Sequence, residues 1–334
     1  MSSTSSSKPT PSYALIGAAG YIAPRHLRAI KDTGGTLRAA LDYTDSVGIM
    51  DSYFPDTRFF VEFERFDRYI DRCRREGSKV DYVAICSPNY LHDAHVRFAL
   101  RADCDAICEK PLVLNPWNID AIGDMEKETG RQVNTILQLR LHPVIAALAE
   151  KIKNEPKGRV HDVELTYITS RGRWYYTSWK GDDNKAGGIA TNIGVHFFDM
   201  LTHVFGPVKS NIAHHRAMDC AAGYLELERA RVRWFLSINA RDLPPSVKAT
   251  KTTFRSITVD GQEVEFSEGF TDLHTESYKE IMAGRGFRID AVRPSIEIVS
   301  SLRTAEIAPD KGRQHPFLEA VRTANGRYLN GWPV

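Results

Sequence analysis

The apolar run Tyr13-Ala14-Leu15-Ile16 stops at Gly17 and predicts a short buried strand. After the turn Gly17-Ala18-Ala19-Gly20, the apolar residues Ile22, Leu27 and Ile30 fall on one side of a helix over 21–31. The alternation then repeats. A strand over 37–41 ends at Asp42, a charged helix covers 64–75, and a strand over 80–86 leaves through Ser87-Pro88-Asn89. A helix over 91–101, a strand over 104–108 leading into Glu109-Lys110-Pro111, a helix over 115–129 and a strand over 132–137 complete the series. Strands and helices that alternate through short loops build a parallel sheet with helices on both faces. The fold class expected is therefore α/β, with an N-terminal doubly wound domain.

The pattern changes near residue 139. A helix over 144–153 precedes long alternating strands over 160–170, 224–228, 231–239, 254–259 and 263–267. Asp260-Gly261 between the last two is a hairpin signal. Helices are expected over 193–205, 274–282 and 295–307. This half reads as an α+β domain on an open, mostly antiparallel sheet. The resulting division is a flexible Ser/Thr/Pro-rich leader (1–12), a doubly wound domain (13–138), an α+β domain (139–308) and a tail (309–334) forming a surface strap or frayed end.

Composition narrows the classes. At 334 residues the chain holds about two domains, and 44 Lys plus Arg against 42 Asp plus Glu give a net charge of +2. That balance argues against a polymeric nucleic-acid partner and against a disordered polyelectrolyte. No apolar run reaches membrane length, so no membrane partner is expected. The five cysteines form no CxxC pair, which suits buried thiols in a reducing cytoplasm and no metal site. The leader has no apolar core of a signal peptide, again pointing to the cytoplasm.

Five constellations carry chemistry. Gly17-Ala18-Ala19-Gly20-Tyr21-Ile22-Ala23, between strand and helix, lets a pyrophosphate approach a helix N-terminus, although an ordinary glycine turn has the same residues. Asp42, 22 residues after Gly20, is placed to accept both adenosine ribose hydroxyls; with no Arg or Lys directly after it, NAD is favoured over NADP. Lys110, at a strand end, faces the crevice where open α/β sheets hold ligands, and can hold a reacting hydroxyl. Asn192 and His196 lie four apart in Gly187-Gly188-Ile189-Ala190-Thr191-Asn192-Ile193-Gly194-Val195-His196, hence on one helix face. His196 among Val195, Phe197 and Phe198 also fits a core histidine. Arg171, Arg173, Trp174, Tyr175 and Lys180 mix cations with aromatics, suiting a nucleotide or carboxylate and equally a subunit interface.

Together these residues resemble the glucose-fructose oxidoreductase/inositol dehydrogenase family of sugar dehydrogenases. Glu109-Lys110-Pro111 matches one hallmark, and Gly187 through Asp199 matches a second, except that Asn192 stands where most members carry Asp. Further stretches resemble the subgroup of UDP-N-acetylglucosaminuronic acid 3-dehydrogenases of bacterial surface-polysaccharide synthesis. These are Gly17 to His26, Ile85 to His92, Ile136 to Arg140, Tyr167 to Gly172, Ala190 to His196 and Phe266 to His274. The resemblance implies that 13–138 is an NAD-binding Rossmann dinucleotide-binding domain and 139–308 a substrate and oligomerisation domain, and it implies oxidation of a UDP-sugar C3′ hydroxyl with NAD, feeding a transaminase in O-antigen synthesis. It implies 2-oxoglutarate as a possible recycler of the cofactor and a homodimer or homotetramer. It gives His196 the part of base and Lys110 that of holding the reacting oxygen. Gly17, Ala19, Gly20, Tyr21, Ile22, Asp42, Ser87, Asn89, His92, Glu109, Lys110 and Gln138 become the cofactor set. Lys110, Arg171, Arg173, Trp174, Tyr175, Lys180, Asn192 and His196 become the substrate set. Two other functions stay open: a dehydrogenase of a free sugar or inositol, and an NAD-binding sensor or scaffold.

Overall fold

The computed structural model describes residues 10–266, 272–309 and 312–323, with the backbone of 328–329 and 332–333. The chain forms two compact units. The first comprises Met1–Leu112, Asp120–Ile136 and His274–Ile289; the second comprises Val113–Ile119, Leu137–Leu273 and Asp290–Val334.

In the first unit the strands are β1 (Ser12–Ile16), β2 (Thr36–Leu41), β3 (Arg58–Phe60), β4 (Tyr82–Ile85), β5 (Asp105–Cys108) and β6 (Val133–Thr135). They form one parallel sheet in the order β3-β2-β1-β4-β5-β6. Its helices are α1 (Ala23–Asp32), α2 (Phe63–Arg75), α3 (His92–Arg101) and α4 (Pro116–Thr129), whose first residues belong to the second unit. β1 is buried at every position, as a strand covered on both faces must be, and this is why it reads as a continuous apolar run. Tyr13, Leu15, Leu27, Ile30, Ala84 and Ile107 share one core with Tyr278 and Ile281.

The second unit contains α5 (Pro143–Asn154), β7 (His161–Thr169), α6 (Trp174–Thr177), α7 (Asp183–Ala186), α8 (Val195–Phe205), β8 (Val208–Arg216), β9 (Cys220–Leu227), β10 (Ala230–Ser237), α9 (Pro245–Lys248), β11 (Thr253–Val259) and β12 (Gln262–Glu263). α10 (Leu273–Met282) lies almost wholly in the first unit; α11 (Ile289–Thr304), α12 (Phe317–Thr323), β13 (Tyr328–Leu329) and β14 (Trp332–Pro333) follow. The large sheet runs β12-β11-β7-β10-β9-β8, with β7 and β10 parallel and the other neighbours antiparallel. Asp260 and Gly261 take φ of 51° and 76°, as a two-residue hairpin turn requires.

Several expected boundaries move. The change of character expected at 138 lies beside the Ile136/Leu137 division, but 274–289 returns to the first unit because Tyr278 and Ile281 pack on β1. Ser12, expected in the leader, belongs to β1; its N–H and Oγ both donate to Asp81 Oδ2 at 2.8 Å. The tail is not a frayed end throughout: α12 buries Leu318 and Val321 against Ile168, Cys220 and Phe235. α11 begins at Ile289, ahead of Pro294, rather than at 295. β3 and β8 are additional strands; β8, VKSNIAHHR, has too few apolar positions to stand out as one. Residue 267, at the end of an expected strand, lies outside the described residues. All five cysteines are free and buried. Among the described residues no helix is long and apolar enough to cross a membrane.

One buried histidine makes stability depend on pH. His315 is stacked at 5.8 Å on Phe235, and its Nε2 pairs with Thr166 Oγ1 at 3.0 Å. Burial pulls its pKa from the ordinary 6.5 down to about 3. Below pH 6.5 the unfolded chain therefore binds a proton that the folded chain does not, and stability falls as pH falls toward 3. From this group alone the loss at pH 5 is about 2 kcal/mol. Denaturant midpoints measured at pH 7.5 and pH 5 should show that drop, and His315→Leu should shrink it.

Candidate functional site

The first unit gathers its expected residues along one sheet edge. The register aligns Leu41, Ile16, Ile85 and Cys108 across β2, β1, β4 and β5, so Asp42, Gly17, Cys86 and Glu109 follow in one row at the carboxyl ends of the strands. The strand order reverses between β1 and β4, and a crevice opens at such a point in a doubly wound sheet.

Gly17 leaves β1 with φ of 89°, and a Cβ there would lie 2.6 Å from the Cys86 carbonyl carbon, so the turn needs glycine. The N–H groups of Gly17 and Ala18 donate to Leu41 O at 2.8 and 3.2 Å. Asp42 is 8% exposed; one carboxylate oxygen accepts from Ala19 N–H at 2.9 Å and the other from Thr44 N–H at 3.1 Å. α1 starts with no side-chain cap and no acidic residue in its first turn. A turn cleared of side chains, a bare helix N-terminus and a carboxylate on the adjacent strand fit a dinucleotide's pyrophosphate and ribose. Gly17, Ala19, Gly20 and Asp42 would hold it. Ile22 packs into the β1 core, whereas the Tyr21 side chain stands 92% exposed. Asp42→Ala should weaken NAD binding about 10- to 100-fold, the worth of a hydrogen bond to a charged group. Calorimetric titration with NAD reads this directly, and an unchanged affinity would refute the ribose role.

The loops after β4 and β5 are tied together. His92 is buried, with its ring nitrogens 2.8 Å from Ser87 O and 2.7 Å from Pro111 O. Ser87 Oγ pairs with His95 Nδ1 at 2.8 Å, and Asn89 is buried nearby in the sequence. Burial lowers the pKa of both histidines, that of His95 to about 4. The Lys110–Pro111 peptide is cis, and Lys110 is partly exposed at the sheet edge.

Glu109 has surroundings that sequence reasoning missed. It is 6% exposed, and its Oε1 accepts from His26 Nε2 at 3.0 Å and His274 Nε2 at 2.8 Å. Its Oε2 accepts from the Lys110 N–H at 3.2 Å, and His26 Nδ1 meets the Tyr278 hydroxyl at 2.8 Å. Burial favours the neutral carboxyl, but the two histidine hydrogen bonds more than reverse it and hold the pKa well below the carboxylate range. Burial lowers His26. His26, Glu109 and His274 also form a buried set of potential metal ligands. The signal available was that His26 and His274 each close a stretch quoted for the resemblance.

In the second unit, Gly187 caps α7 at φ 82°, and Thr191 Oγ1 donates to Gly187 O at 2.6 Å. Residues Ala190–Gly194 widen into a π turn before α8 begins. Asn192 and His196 are thus separated by a π turn rather than by the α turn expected; such turns occur often at functional sites. A Cβ on Gly194 would lie 2.5 Å from Leu236 Cδ1, so glycine lets this segment close onto β10. His196 is half-buried, its ring 4.4 Å from Phe197 and 6.2 Å from Tyr167. Asn192 Nδ2 donates to the hydroxyl of buried Tyr175, whose pKa burial pushes up to about 12. Asp199, ending the motif, is held by Arg140 through two bonds at 2.9 and 2.7 Å.

Trp174 and Lys180 extend the group formed by Asn192 and Tyr175: the Trp174 ring meets Tyr175 edge-on at 5.9 Å, and Lys180 Nζ lies 5.8 Å over the Trp174 ring. Arg171, Arg173 and Trp174 are exposed, and Lys180 Nζ lies 4.2 Å over the Trp179 ring. Gly187 and Gly188 line a cavity of about 600 Å³ with Asp183, Trp117, Arg216 and Arg303. Gln138 lies in this unit, in a short turn before α5, with its Oε1 buried and without a hydrogen-bond partner among the described residues.

Comparison with known proteins follows the same division. The profile of an oxidoreductase family with an NAD-binding Rossmann fold matches residues 12–136, and the profile of its C-terminal α/β domain matches 149–315. The chain belongs to the GFO/IDH/MocA oxidoreductase family. Its first domain is accordingly an NAD-binding Rossmann domain, and the edge residues described above fit that cofactor. A solved relative is the WlbA (WbpB) dehydrogenase from Thermus thermophilus in complex with NAD and alpha-ketoglutarate. It is 51% identical with a TM-score of 0.90, covering 92% of this chain and 100% of that one. The same dehydrogenase, solved with NAD and UDP-GlcNAcA, matches with a TM-score of 0.89 at the same identity and coverage. Among curated family members, D-glucoside 3-dehydrogenase of Escherichia coli (strain K12) is 30% identical over 142 residues, 41% of this chain and 39% of the relative. The chain thus spans about two fifths of the length of that relative.

Proposed function

We propose that this protein oxidises the C3′ hydroxyl of UDP-N-acetylglucosaminuronic acid to a ketone, with NAD as hydride acceptor. The observation that carries this reading is the 51% identity, over the full length of the Thermus thermophilus chain, to a dehydrogenase solved with NAD and UDP-GlcNAcA. His196 takes the hydroxyl proton as general base. Lys110 hydrogen-bonds the same oxygen and stabilises its developing negative charge. Asn192, which cannot carry a proton, orients the substrate, so the proton is left to His196. NAD, when bound, supplies the acceptor for the hydride from C3′. Arg171, Arg173 and Lys180 offer cations for the pyrophosphate and carboxylate, and Trp174 and Tyr175 offer aromatic surface. Ser87, Asn89, His92 and Gln138 belong on the nicotinamide side.

The product is a 3-keto sugar, so the class of reaction that consumes it is transamination, as in bacterial O-antigen synthesis. 2-Oxoglutarate returns the cofactor to NAD without its release, a reading supported by the alpha-ketoglutarate complex of the 51% identical relative. We further place the protein in the cytoplasm, where five buried free thiols persist, as a homodimer or homotetramer.

A second reading keeps the chemistry and changes the sugar. It is favoured by the partial matches to D-glucoside 3-dehydrogenase and to the Bacillus subtilis (strain 168) glucose-6-phosphate 3-dehydrogenase, the latter 25% identical over 57% of this chain. The test is to denature the purified protein and assay the released cofactor and its redox state, before and after adding UDP-GlcNAcA, then 2-oxoglutarate. Conversion to NADH by UDP-GlcNAcA and back by 2-oxoglutarate is expected. Reduction by glucosides or inositol but not by UDP-GlcNAcA would install the second reading.

A further inference from the structure

Glu109 stands in the expected cofactor set, but the buried His26, His274 and Tyr278 around it have none of the roles above. We propose that His26, His274 and Tyr278 are positioning residues for Lys110, acting through the Glu109 carboxylate. The proposal rests on the reading of Lys110 as the group that holds the reacting oxygen.

The geometry specifies one arrangement of protons. His26 and His274 both present Nε2 to Glu109 Oε1, so each carries its proton there and donates it. His26 Nδ1 is then an acceptor, and the Tyr278 hydroxyl donates to it. The second carboxylate oxygen takes the Lys110 main-chain N–H. The carboxylate thereby receives three donors, from α1, α10 and the loop after β5, and nothing in the cluster requires a metal. The ligand atoms also sit at hydrogen-bond distance, 2.8 and 3.0 Å, closer than the roughly 3.3 Å between ligands around a tetrahedral zinc at about 2.0 Å.

The groups around Glu109 leave the charge on its carboxylate. Burial keeps the Cys86 and Cys108 thiols and the Tyr278 hydroxyl protonated, and keeps His26 and His92 neutral. A buried carboxylate is costly unless hydrogen bonds offset its lost hydration, and this one receives three. This one is retained directly before Lys110, where it fastens the backbone that carries the amine. Protonation of Glu109 would put a hydrogen on one of its oxygens and remove the negative charge that strengthens its hold on all three donors, the Lys110 amide among them. Removing a donor raises the pKa at which this happens.

The experiment is steady-state kinetics with NAD and UDP-GlcNAcA over pH 5–9 on the full chain, comparing H274L, H274Q, Y278F, K110A and H274L/K110A. H274L should lower kcat about tenfold at pH 7 with KM for the sugar nucleotide unchanged, and should move the acid limb of the kcat profile upward by about one pH unit. H274Q, which keeps an N–H donor at similar reach, should restore most of both. If H274L does not fold, Y278F carries the test with a smaller shift of the same sign. In the K110A background H274L should add no further loss, since it acts through Lys110. Additive losses, or a wild-type acid limb in H274L while K110A is crippled, would overturn the positioning role and leave the reading of Lys110 intact. Wild-type turnover in K110A would instead overturn that reading. Independently of turnover, ¹⁵N-histidine spectra should show both rings protonated at Nε2. A stoichiometric metal found by elemental analysis of the purified protein would also overturn the proposal.

Discussion

His196→Ala is expected to lose about 10²- to 10⁴-fold in turnover while binding NAD normally, which is the contribution a positioned general base makes. The imidazole is half-buried against Tyr167 and Phe197 and is none of the groups assigned to the cofactor. Removing it should therefore leave the cofactor's binding groups untouched. The carboxamide at Asn192 cannot replace it as a base. Lys110→Ala separates the two parts: loss in kcat marks stabilisation of the developing alkoxide, and a rise confined to KM marks mere substrate binding. Stopped-flow reduction of NAD by UDP-GlcNAcA, with NAD affinity measured in parallel, checks both. Near-normal turnover of His196→Ala would end the assignment of the base.

The second large effect concerns stability. Arg140→Ala should cost about 3–5 kcal/mol, because it strands a charge that is almost wholly enclosed. Asp199 is 1% exposed; burial raises its pKa even though Arg140 opposes the rise. Arg140 also donates to Ala291 O at 2.8 Å, tying α8 to α11. Without the guanidinium, the Asp199 carboxyl takes up a proton more readily, so the folded variant binds protons that its unfolded chain releases. The deficit against the natural protein should then shrink as pH falls from 8 to 5. Urea midpoints at several pH values test this, and Arg140→Met combined with Asp199→Leu should recover much of the loss. A deficit that does not change with pH would mean that the lost contact to Ala291, rather than the stranded charge, dominates.

These two sites also show how far the sequence could be read. The β1–turn–α1 segment was legible because a strand buried on both faces is apolar throughout, and because a turn against a neighbouring strand admits only glycine at Gly17. Lys110 and Asp42 were legible from their places at strand ends. Arg140 and Asp199 lie 59 positions apart; each closes a stretch quoted for the resemblance, but nothing in the sequence pairs them. The frayed-end alternative for the tail failed for a related reason: Phe317, Leu318, Ala320 and Val321 are a short apolar group in a polar stretch, and only the surface they cover marks Leu318 and Val321 as core.

What the sequence by itself determined was local: the period of each element, the turn after β1, the hairpin at Asp260-Gly261 and the residue types able to hold NAD or move a proton. The tertiary structure alone decided which distant groups share a charge. Spacing along a chain encodes only neighbours within a turn of helix or across a hairpin. The meeting of His26, Glu109 and His274, from three segments as much as 248 positions apart, depends on the helix containing Tyr278 returning to the first sheet. Burial makes that meeting matter, since a carboxylate among apolar side chains stays ionised there only because both histidines reach it.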